Sequence, residues 1–110
     1  MSLSTKSNTS WEKFCPTRIH YPFGYFCEIR VVSQQYLNKL AEGQVWGMSF
    51  NFGEKIGKVR MHRKEARIYL SRDMDGARFI ETLRHEMDHN FTEYKGILFD
   101  VLKDKVFNGK

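Results

Sequence analysis

The chain has little cysteine, little proline and no long apolar run. Two cysteines, Cys15 and Cys27, in 110 residues make neither a disulfide framework nor a Cys-x-x-Cys site. The expectation is two reduced thiols in a cytoplasmic protein. No stretch approaches the ~18–20 uninterrupted apolar residues that a membrane-spanning helix needs. The first ten residues are polar and lack the apolar block of a secretory signal. No repeat, low-complexity block or Pro/Gly-rich linker divides the chain. Residues 1–12 read as a flexible tail, and 13–110 as one domain.

What is present fits a small globular core. Hydrophobic residues make up 41% and aromatics 15% of the chain, with nine phenylalanines, which compensate for the modest burial a short chain achieves. The net charge of +5 is spread and interleaved with acids. It is compatible with a nucleic-acid partner without requiring one. No membrane partner is expected.

Strands come first and helices later. Residues 25–32 alternate as a strand. Ser33 is placed to N-cap a helix over 34–42 that Gly43 ends. In 45–52, Trp46, Met48, Phe50 and Phe52 fall on one face of a strand. Asn51 to Glu54 is a turn. Residues 56–62 and 65–70 read as two further strands joined at Arg63-Lys64. The aromatic run Tyr21 to Phe26 is either a substrate-binding lip or a loop covering the core. A helix is predicted over 76–95, with Ile80, Leu83, Met87, Phe91 and Tyr94 as its apolar stripe and Gly96 as its stop. A last helix over 97–107 follows. The fold class expected is α+β, a three- or four-stranded antiparallel or mixed sheet packed on the 76–95 helix.

That helix contains His85-Glu86-Met87-Asp88-His89, an H-E-x-x-H pattern. Histidines at i and i+4 share a helix face, so both imidazoles can reach one metal ion. They lie roughly opposite the predicted stripe, with Arg78, Thr82 and Thr92 on their side. Glu86 flanks that face, where a carboxylate can take a proton from an activated water and pass it to a leaving amine. Asp88 and Asn90 beside His89 read either as surface polar residues or as groups orienting a ligand. The bland alternative for the whole pattern is two solvent-facing histidines on an amphipathic helix.

Strands followed by such a helix resemble the zincin metallopeptidases. The stretch 58–89 is most similar to the SprT-like group and its small phage and bacterial relatives. In these, a strand ending Ile-x-Leu-Ser precedes Thr-Leu-x-His-Glu-Met-x-His. Here the residues are Ile68-Tyr69-Leu70-Ser71, then Thr82 to His89, with Lys58-Val59-Arg60 fitting the strand before. The resemblance implies a minimal zincin-like domain. It implies Zn²⁺ held by His85 and His89, Glu86 as catalytic base, and a protein or peptide substrate added as a strand along a sheet edge between residues 44 and 70. The chain departs from the pattern at the third ligand. SprT-like proteins supply it in His-Gly-x-x-Phe, and metzincins place it at the same spacing. Here Lys95-Gly96-Ile97-Leu98-Phe99 puts a lysine there. If the last helix folds back after Gly96, Asp100 is the first candidate. Glu93, Asp104, His62 and His20 are the others. A non-catalytic zincin-like binding or regulatory domain is the second reading, and a basic nucleic-acid-binding protein the third.

Overall fold

The computed structural model describes residues 15–108. The expected tail, 1–12, lies outside the described residues. Element order is β1 (Arg18–His20), a 3-10 turn (Pro22–Gly24), β2 (Phe26–Val32), α1 (Gln34–Ala41), β3 (Gly47–Phe50), β4 (Lys55–Ile56), β5 (Val59–Arg60), β6 (Glu65–Ser71) and α2 (Gly76–Phe107). The fold is α+β. A mixed four-stranded sheet has the order β1-β2-β6-β3, and β4 and β5 form a separate small hairpin.

β6 is the centre of the sheet. It pairs parallel with β2, Ile68 opposite Ile29, and antiparallel with β3, Ile68 opposite Ser49. Both its faces are covered over Ile68, Tyr69 and Leu70, which explains the apolar run there, while Glu65 and Arg67 at the start of the strand are only half-buried. Ala66, Ile68 and Leu70 join Cys27, Ile29 and Phe79 beneath α2. Tyr69 joins Phe50, Leu37 and Met61 beneath α1. The sheet is therefore sandwiched between two helices.

Local chemistry accounts for the helix starts. Ser33 Oγ accepts from Tyr36 N at 3.1 Å, and the Asp75 carboxylate accepts from Arg78 N at 2.8 Å. The left-handed residue ending α1 is Glu42, φ 57°, one position before the expected glycine.

Three expectations are corrected. First, residues 76–107 form one helix, not two. Gly96 is not among the residues with positive φ. A glycine stops a helix by turning left-handed. Held in the right-handed region, it only weakens the helix by about 1 kcal/mol. Ile97, Leu98 and Val101 beyond it are half-buried and sustain the helix. Second, 56–62 is not one long strand beside β6. Gly57, φ 60°, turns the chain into the two-residue hairpin of β4 and β5, and β3 takes the place beside β6. Third, β3 spans only four residues. Met48 and Phe50 share one face, as expected, and it meets α1, but Trp46 and Phe52 lie beyond the strand's ends and pack on the α2 side.

Candidate metal centre

α2 crosses the sheet with a buried line of Phe79, Glu86, Asn90 and Tyr94. This line is rotated from the predicted stripe, for Ile80 and Phe91 are exposed. The histidines stay on the open side. His85 and His89 are both exposed, with ring planes at 90° and Nε2 atoms 3.1 Å apart. Two N–H groups cannot face each other at that distance. The pair needs either one proton between its nitrogens or one cation shared by both. Bonds of about 2.0–2.1 Å from each nitrogen to one zinc ion at roughly 100° would span just such a separation. The two nitrogens thus fit a metal.

Glu86 is only 8% exposed. With His85, Glu81 and Thr82 it lines a cavity of about 490 Å³ whose other wall is Val45, Trp46 and Gly47. A second cavity, about 330 Å³, is lined by His85, Asp88, His89, Thr92 and Glu93. His85 lines both cavities, and His89 lines the second.

The wall opposite Glu86 is the sheet edge. Thr82 lies against Gly47, so close that a Cβ on Gly47 would sit 2.8 Å from Thr82 Cγ2. More than three turns further on, the Tyr94 ring is 6.2 Å from that of Phe52. α2 therefore runs beside β3 in the same direction. Ser71 N donates to Trp46 O. Alternation along an antiparallel pair then turns the backbone groups of Gly47 and Ser49 away from β6. Among the described residues no strand pairs with that edge.

The next turn of α2 is anchored from behind. Asn90, 1% exposed, accepts from Tyr21 Oη at 2.8 Å, and Tyr94 Oη donates to Pro22 O at 3.0 Å. The Tyr21 and Tyr94 rings stack at 4.2 Å. Burial, with smaller contributions from Cys27 and Tyr94, pushes the Tyr21 hydroxyl up to about 12. The aromatic run from Tyr21 is thus a buttress for the motif helix rather than a lip. Asn90 is its partner, not a surface residue, while Asp88 is exposed beside the histidines. Sequence reasoning missed Asn90 as an anchor. Its signal is a spacing of four from both Glu86 and Tyr94, which puts it on the true buried line.

The third-ligand candidates do not converge. Asp100 lies eleven residues past His89 on an unbroken helix, roughly 16 Å along the axis. The fold-back that would have brought it in does not occur, and Asp104 is one turn further. Glu93 lines the histidine cavity but starts two turns above His85. His62 Nδ1 accepts from Lys64 N, and His20 lies on β1, at the opposite sheet edge, beside the Phe26 ring. The Lys95 ammonium sits 5.4 Å over the Phe91 ring. Among the described residues no three His, Cys, Asp or Glu side chains form a metal-holding group. No protein-family model, curated protein or solved structure matches the chain.

Proposed function

We propose that the chain is a metal-dependent peptidase of the zincin type, acting on an extended peptide segment. The carrying observation is the pair of Nε2 atoms 3.1 Å apart beside a groove that Glu86 shares with a sheet edge on which no strand pairs among the described residues. His85 and His89 would hold the ion, and its remaining positions would fall to solvent and substrate. A zinc ion there would supply a Lewis acid for the reacting carbonyl and for water.

The other steps belong to the chain. Gly47 and Ser49 offer outward backbone N–H and C=O groups, so a peptide can be held as a fifth strand along β3. Its carbonyl then lies in the groove between β3 and α2. Glu86 Oε takes the proton from the attacking water and returns it to the leaving amine. The low exposure of Glu86 keeps bulk water away from that transfer. Trp46, with Arg78 5.0 Å from its ring, lines the groove on the side facing Glu86.

The test is cleavage of an unfolded protein, such as denatured casein, with zinc present. Wild type should cut it, and Glu86→Gln should lose about 10²–10⁴-fold, the usual worth of a general base. Equal rates in the two proteins refute the reading. A second reading, a binding domain that hydrolyses nothing, is favoured by one observation. Without a third side-chain ligand among the described residues, a metal here would be held by two nitrogens, whereas catalytic zinc usually takes three protein ligands. Zinc and peptide binding without cleavage would select it.

A further inference from the structure

The far half of α2 carries an apolar stripe with no cover among the described residues. Phe99 is 68% and Val106 73% exposed, and Phe91 and Leu102 are exposed beside them. At ~100° per residue, Phe91, Leu98, Phe99, Leu102 and Val106 fall within about 60° of one direction. From residue 91 onward the charges separate around that direction. Lys95, Lys103 and Lys105 lie within about 80° of it, and Glu93, Asp100 and Asp104 lie about 140–180° away. The stripe is edged by cations alone.

The neighbouring 3-10 turn extends the patch. Its tip, Phe23, is exposed and holds φ 69°, a left-handed conformation that a bulky side chain rarely adopts. Two more contacts hold it there. Lys64 Nζ donates to Phe23 O at 2.9 Å, and Lys105 Nζ lies 5.5 Å from the centre of its ring. An exposed aromatic is thus presented between two ammonium groups, next to the helix stripe.

We propose that this face of α2, with Phe23, docks on an anionic lipid surface, the helix lying in the plane of the interface. A convex apolar ridge bordered by lysines is what such a surface binds, through buried apolar area and attraction to acidic headgroups. A second copy is disfavoured because its lysines would meet these lysines. A nucleic acid would leave the apolar stripe unused. The helix does not cross a bilayer, since no helix among the described residues is long and apolar enough. The proposal stands independently of the metal reading.

Co-sedimentation with vesicles tests it, using phosphatidylcholine alone and two parts phosphatidylcholine to one part phosphatidylserine. Binding is expected to the mixed vesicles, weakened by salt, and little to the neutral ones. Each of Lys103→Gln and Lys105→Gln should lower partitioning about fivefold, the worth of one lysine near such a surface. Phe99→Gln with Leu102→Gln should abolish it, with an unchanged far-UV circular dichroism spectrum. Because the lysine changes are on the exposed face, they keep the test valid if the apolar double variant misfolds. Equal binding to both vesicles, or to neither, overturns the proposal. So does a dimer in sedimentation velocity without lipid that Phe99→Gln dissociates, which would assign the stripe to a second copy.

Discussion

Alanine at Gly47 would push α2 away from the sheet edge. The added Cβ would sit 2.8 Å from Thr82 Cγ2, 3.2 Å from Leu70 Cδ2 and 3.3 Å from Tyr69 O, where ordinary contact begins at 3.4 Å. Thr82 cannot easily yield, because a β-branched side chain in a helix has few rotamers. Overpacking of this kind costs about 1–3 kcal/mol. Replacing glycine returns about 0.4–1 kcal/mol by restricting the unfolded chain. The net loss is about 1–2 kcal/mol, a fall in Tm of roughly 5–10 °C for a domain this size. Thermal unfolding of Gly47→Ala, Thr82→Ser and the double variant measures it. Serine removes the offending methyl, so the double variant should recover about 1 kcal/mol relative to additivity. A Gly47→Ala protein as stable as wild type, or strictly additive effects, would refute the close approach. With it would go the groove between Glu86 and β3.

Gly96→Ala should raise stability by about 0.5–1 kcal/mol in urea unfolding, because Gly96 is inside a helix and its added Cβ would meet nothing within 4 Å. Destabilisation would mean that the helix ends there. Burial, with a smaller contribution from Glu28, pushes the Cys27 thiol up to about 12, and the Tyr21 hydroxyl stands at about 12 as well. Both are neutral in the fold, and both have lower values once unfolded. Their contribution to stability is therefore complete below pH ~9 and is lost as pH rises from there through 12. Tm measured across that range should fall, and a thiol reagent at pH 8 should modify Cys15 while sparing Cys27. A flat alkaline profile, or equal labelling, would count against the buried environment of these groups.

The run β2–α1–β3 was legible because its cues are local. Ser33 caps by a contact three residues on, and alternation marks β2. The H-E-x-x-H histidines were legible for the same reason, since i and i+4 share a face in any helix. What was not legible depended on tertiary packing. A glycine stops a helix only if the chain then turns left-handed, and half-buried Ile97, Leu98 and Val101 carry α2 through Gly96. That one difference removes Asp100 from the site. The buried line was misplaced because apolarity pointed to Ile80 and Phe91. The fold instead buries Glu86 against the β3 groove and Asn90 against Tyr21. Phe91, left outside, begins the lysine-edged stripe. Sheet order was hidden too, because β6 pairs with β2 and β3, neither of which is adjacent to it in sequence.

The proposed function rests on His85 and His89 holding one metal ion between them. Zinc content per chain, measured after equilibration with zinc at neutral pH and removal of the unbound metal, tests it most directly. About one zinc per wild-type chain is expected, and its loss in both His85→Ala and His89→Ala. No zinc in the wild type, or an unchanged content in either variant, would contradict it.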